Sequence, residues 1–217
     1  MAKRRGRIGV AAGTNGAGKS VIIGEFLAGA AGEYFNPDLF ARKLVVAGVA
    51  PEEASAAAWK TGFAELRRAI ARDKDFNFET TLGGRSITEE LRAAIEKGIE
   101  VRIWYVGLVS PELHIARVQA RVRRGGHEIP VAKIRERYPR SLSNLVSFIG
   151  KAAEIHVYDN SRETKNGSPA ARLILRMHEK ALVTPDRATL LSTTPDWAKP
   201  LAAAALKIAA RPRKARP

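Results

Sequence analysis

Gly13-Thr14-Asn15-Gly16-Ala17-Gly18-Lys19-Ser20 spells a complete G-x-x-x-x-G-K-S phosphate-binding loop. The apolar run Ile8-Gly9-Val10-Ala11-Ala12 precedes it, and Val21-Ile22-Ile23-Gly24-Glu25-Phe26-Leu27-Ala28 follows as a helix. The motif works only in this strand, loop and helix setting. Its glycines let the backbone curl so that successive N–H groups face a triphosphate. Lys19 then reaches the β- and γ-phosphates, Ser20 offers a hydroxyl to Mg²⁺, and the helix turns its positive end to the anion. The stretch Gly13 to Ser20 therefore implies nucleoside triphosphate binding, with ATP and Mg²⁺ as the expected ligands.

Working outward, strands alternate with helices. Strands are expected at 7–12, near Tyr34-Phe35, at 75–79, at 101–109, at 155–158 and at 172–176. Helices are expected at 18–30, 38–47, 51–72, 86–97, from Ser110 to Arg124, from Val131 to Lys151 with Pro139 as a kink or break, and at 195–210. This alternation predicts an α/β fold: a three-layer P-loop NTPase of the kinase type, with a mostly parallel central sheet and a helical lid. Its ligands should collect at the carboxyl ends of the strands. The expected organisation is one domain over residues 1–206, with the lid at about 115–150 and a basic, disordered tail at 207–217.

Composition narrows the class further. The 217 residues suffice for one domain with a real core, 45% of them are hydrophobic, and the absence of cysteine excludes disulfides, thiolate metal sites and a catalytic thiol. No apolar run reaches the length of a membrane span. The basic start followed by Ile8-Gly9-Val10 looks like a leader, but the apolar part is short and runs into the phosphate loop, so a cytoplasmic location is expected. The net charge of +15 resides in three stretches. Residues 1–7 hold four Lys/Arg, residues 207–217 hold five, and residues 115–140 hold eight against Glu128 and Glu136. Only the last of these lies inside the domain.

Three further constellations carry chemistry. Asp38, after Asn36-Pro37, stands just beyond the second strand and could accept the proton of an attacking hydroxyl or hold Mg²⁺ through water. The same three residues also make a good turn and helix start. Glu79, before Thr80-Thr81-Leu82-Gly83-Gly84, puts acid and hydroxyl groups on the ligand rim; a solvated Glu beside a helix-capping Thr is the alternative. Arg117, Arg121 and Arg124 follow helical spacing, with Arg135, Arg137 and Arg140 beyond Gly125-Gly126-His127. Stacked like charges call for an anion, and two Arg-bearing helices around a Gly-Gly turn read as a lid over polyphosphate. A solvated basic face or a nucleic-acid patch is the other reading. The four histidines lack metal-ligand spacing, and only His127 stands out. A transporter ATPase would need a Leu-Ser-Gly-Gly-Gln signature, which is missing.

The order phosphate loop, Asn36-Pro37-Asp38, Phe78-Glu79-Thr80-Thr81-Leu82, Arg121-Val122 to Gly125-Gly126-His127 and Ile129-Pro130, Arg137-Tyr138 with Ser141-Leu142, and Tyr158-Asp159-Asn160-Ser161 resembles the zeta-toxin-like P-loop kinases. With Pro195-Asp196-Trp197-Ala198 the resemblance runs from Gly13 to Ala198. It implies a kinase that transfers the ATP γ-phosphoryl group to a sugar hydroxyl of a nucleotide sugar such as UDP-N-acetylglucosamine, and a small antitoxin as partner. It further implies Lys19 and Ser20 on phosphate and Mg²⁺, Asp38 as general base, and Glu79, Thr81 and Arg85 at the acceptor. Arg121 and Arg137 would be catalytic, with Arg117 and Arg124 on ATP. One departure stands out: family members carry an Arg shortly after the Glu-x-Thr, where this chain has Gly83-Gly84 before Arg85. The competing reading, a nucleic-acid-associated ATPase or binding module, rests on the net charge.

Overall fold

A computed structural model describes residues 5–30, 32–126, 128–162 and 170–210. His127 and the last seven residues of the basic tail lie outside them. Strand β1 (Arg7–Ala12) leads through the phosphate loop into a π-turn, Ser20–Gly24, and one turn of α-helix, α1 (Glu25–Ala28). Next come β2 (Glu33–Phe35), α2 (Pro37–Val46), α3 (Pro51–Ala71), β3 (Phe76–Thr80), α4 (Arg85–Glu96) and β4 (Glu100–Gly107). The chain continues with α5 (Pro111–Val122), α6 (Val131–Val146), β5 (Glu154–Asp159), β6 (Arg172–His178), β7 (Ala181–Thr184), α7 (Arg187–Thr193), and α8 (Lys199–Ala209) behind a short 3₁₀ turn at Asp196–Ala198.

One seven-stranded sheet has the order β2-β3-β1-β4-β5-β6-β7. The first five strands are parallel, while β6 and β7 run antiparallel at one edge. The fold is thus α/β with a mostly parallel sheet. On one face, β-branched and aromatic side chains of β1, β3, β4 and β5 form the main core with Leu66 of α3, Leu91 of α4, Leu145 of α6 and Leu201 of α8. A smaller cluster of Ala11, Ile23, Leu27, Trp104 and Val106 fills the other face beneath the phosphate loop. Strand order reverses at β1, which lies between β3 and β4, and ligand crevices form at such a switch point.

Several element boundaries differ from expectation. The predicted regular helix at 18–30 is a π-turn followed by four α-helical residues. The β-branched run Val21-Ile22-Ile23 and Gly24 favour a regular helix weakly at best. Pro139 does not break α6, which runs unbroken through it, but the helix ends at Val146 instead of Lys151. Helix α8 reaches Ala209, three residues into the stretch expected to be tail.

Candidate active site

The parallel register puts three loops on one rim. Ala11 pairs with Glu79 and Ala12 with Thr80 across β1 and β3, and Phe35 pairs with Phe78 across β2 and β3. The phosphate loop, the Asn36-Pro37-Asp38 turn and the Glu79-Thr80-Thr81 segment therefore emerge side by side. Gly13 begins the loop at φ +138°, and a Cβ there would lie 2.2 Å from the Val106 carbonyl oxygen of β4. No side chain fits at this position.

The loop is tied down from three directions. The Asn160 side-chain amide donates to the Ala17 carbonyl at 2.9 Å, and the Arg137 guanidinium donates to Asn15 Oδ1 at 2.9 Å. His114 Nδ1 donates to the Asn15 carbonyl at 2.8 Å, since a carbonyl can only accept. His114 is buried edge-on against Tyr138, and burial pushes its imidazole down to about 4, with the Lys19 and Arg117 charges acting the same way. It is a neutral Nδ1–H tautomer. Lys19 curls back so that Nζ donates to the Gly13 carbonyl at 2.9 Å. Burial lowers its pKa from the ordinary value, while the carboxylates of Glu79 and Asp38 oppose that shift.

Glu79 is the hub of the polar network. It is buried at the end of β3, and Oε2 accepts from the Ser20 hydroxyl at 3.0 Å. Oε1 accepts from the Asn36 amide at 2.8 Å and from the Tyr34 hydroxyl. Asn36 also caps α2, accepting from the Leu39 amide at 3.1 Å, with Pro37 at the first helical position. Gly24 gives the room for this network, because a Cβ there would lie 2.9 Å from the Tyr34 hydroxyl and 3.1 Å from Glu79 Oε1. A serine hydroxyl touching a carboxylate at the end of the phosphate loop is the pair of hard oxygen donors that suits Mg²⁺ shared with phosphates.

Asp38, in the first turn of α2, forms an ion pair with Arg121 of α5 at 3.5 Å. Helices α5 and α6 are joined by Arg135–Glu112 at 2.6 Å and by a buried cluster of Ile115, Val118 and Ile134, and Tyr138 of α6 donates to the Leu108 carbonyl just after β4 at 3.1 Å. A cleft of about 390 Å³ is lined by Asn15, Lys19, Asp38, Glu79, Thr81 and, from α6, Arg137. Phe35, Trp59, Phe63 and Ile87 line its apolar wall. Of the residues expected at the site, Arg117 is half-buried on α5 near His114, whereas Arg124 is exposed beyond the end of that helix. Arg85 points to solvent against Glu89 at 2.7 Å, and neither Arg85 nor Arg124 lines this cleft. Tyr34 on Glu79, His114 on the phosphate loop and Trp59 in the cleft lining carry no motif in the sequence. His114 shares a helix face with Val118, which in sequence reads as core.

No family model matches the chain. An uncharacterized protein of Haemophilus influenzae is 32% identical over 126 residues, which is 58% of this chain and 88% of that protein. The chain belongs to that protein's family. Among solved structures, AvrRxo1-ORF1:-ORF2 with ATP superposes with a TM-score of 0.60 at 14% identity, over 94% of this chain and 76% of the other. A chain of the PezAT chromosomal toxin–antitoxin system of Streptococcus pneumoniae gives 0.51 at 16% identity, over 96% and 87%. At these identities the likeness shows a shared fold.

Proposed function

We propose that this protein is an ATP-dependent kinase that transfers the γ-phosphoryl group to a hydroxyl of a small acceptor in the 390 Å³ cleft, with a nucleotide sugar as the acceptor class. One observation carries the reading. Asp38 and Lys19 line the same cleft, so a carboxylate able to take a proton sits beside the lysine of a phosphate loop. In this reading the acceptor hydroxyl gives its proton to the Asp38 carboxylate as its oxygen bonds to the γ-phosphorus. The bond from that phosphorus to the β–γ bridging oxygen breaks, and ADP leaves. Lys19 and the loop amides hold the phosphates, while Arg121 and Arg137 face the charge that develops during transfer. Ser20 and Glu79 would hold Mg²⁺, which neutralises phosphate charge when bound. Glu79 thereby moves from the acceptor role implied by the resemblance toward the metal, because it touches Ser20. Thr81 stays at the acceptor. Residues up to the end of α8 form one catalytic domain around the single sheet.

The paired tests are Asp38→Asn and Lys19→Ala. Asp38→Asn should lower turnover by roughly 10²–10⁴-fold, the usual worth of a general base. Calorimetry should show its ATP affinity unchanged within a few-fold, whereas Lys19→Ala should lose ATP binding as well. Phosphotransfer at the normal rate by Asp38→Asn would remove Asp38 from the mechanism.

A further inference from the structure

The apolar wall of the cleft has a feature that phosphate transfer does not use. Trp59 and Phe63, one turn apart on α3, stack nearly parallel, with ring centroids 5.2 Å apart and planes 9° from each other. Phe63 supports one side of the indole, yet Trp59 remains 50% exposed and lines the same cleft as Asp38 and Glu79. The other two tryptophans, Trp104 and Trp197, are each 8% exposed. The wall is also held in place: a Cβ on Gly62 would lie 2.6 Å from the Phe35 ring, so α3 packs directly on that side chain. A Cβ on Gly84, which also lines the cleft, would meet nothing within 4 Å. The half-exposed indole thus presents a flat aromatic surface to the cleft. Lys133 and Arg140 of α6 line the same cleft, both bridged to Glu136.

We infer that Trp59 is a specificity-determining residue of this cleft, a stacking platform for the planar base of the nucleotide acceptor, whose anionic group would lie toward Lys133 and Arg140. The inference rests on the kinase reading for the word acceptor; the ring site itself rests on the cleft alone. A flat π-surface backed by a second ring suits bases of any identity, because each presents a π-face. A simple sugar or sugar phosphate would leave that surface wet. The platform therefore selects acceptors by class before any hydrogen bond reads the base.

The test needs no turnover. Full-length protein without ATP is titrated with uridine 5′-monophosphate, adenosine 5′-monophosphate and ribose 5-phosphate, followed by tryptophan fluorescence and calorimetry. Both nucleotides should quench the one exposed tryptophan, and ribose 5-phosphate should bind at least ten-fold more weakly. Trp59→Ala should weaken nucleotide binding at least ten-fold, and Trp59→Phe should stay within about three-fold. Equal binding of ribose 5-phosphate, or full affinity in Trp59→Ala, would overturn the platform. Nucleotide binding that depends on Trp59, in a protein that phosphorylates nothing, supports the ring site and sinks only the kinase reading. Phosphorylation of a ringless polyol at equal rates by wild type and Trp59→Ala does the reverse.

Discussion

Arg137 and His114 act on the same residue from two sides, the first on the Asn15 side chain and the second on its carbonyl. Their expected consequences differ. Arg137 faces the cleft, so Arg137→Ala should cut kcat/KM by about 10²-fold, the usual cost of one electrostatic donor, with little change in melting temperature. His114 is 1% exposed and stays neutral, since burial holds its folded pKa at about 4. In the unfolded chain a histidine ionises near 6.5. Between these values the unfolded state binds the extra proton. Stability from this group is therefore complete above pH 6.5 and falls as pH drops toward 4, by up to about 3 kcal/mol. Urea midpoints at pH 7 and pH 4.5 should separate more for the wild type than for His114→Leu. Equal separations would show that His114 does not report on folding. A buried lone histidine among apolar helix residues reads as core in sequence, and only the distant pairing of α5 with the phosphate loop reveals its partner.

At the scale of elements, the junction of the π-turn with β2 and β3 positions the oxygen donors. Gly24, Tyr34 and Glu79 are close because three non-local strands pair in register. Gly24→Ala should destabilise the fold by about 1–3 kcal/mol through overpacking. In the background of Tyr34→Phe, which removes the nearer of the two crowding oxygens, the same change should cost less, and a double-mutant cycle measures the difference. Additive costs would contradict the crowding. Tyr34→Phe alone should raise the Mg²⁺ concentration needed to support Mg²⁺-ATP binding, leaving metal-free ATP binding unchanged, because Glu79 loses a donor that orients it. The long periodic elements were legible in sequence: β1, β4 and α3 match expectation to within two residues at either end. The four-residue edge strand β7 and the seven-residue α7 were not, since neither is long enough to show a period. Glu79 was visible as a rim carboxylate, but its contact with Ser20 was not, because strand register is a long-range property.

The whole molecule brings the charge into focus. Of the net +15, the excess over 115–140 falls on α5, α6 and their connection, where Arg121 meets Asp38 and Arg137 meets the phosphate loop. That is where two anionic reactants would meet, and such a field favours their association. Removing residues 211–217 takes away four Lys/Arg and should leave phosphotransfer unchanged within two-fold. Tight, salt-sensitive nucleic-acid binding by the shortened chain would revive the competing reading. The central claim is that the γ-phosphoryl group leaves ATP for a hydroxyl held beside Asp38. ³¹P NMR of protein, Mg²⁺-ATP and a panel of nucleotide sugars tests it directly. The expected result is a new phosphomonoester resonance growing in step with ADP, lost in Asp38→Asn. ADP and inorganic phosphate alone, with no new ester from any acceptor, would contradict it.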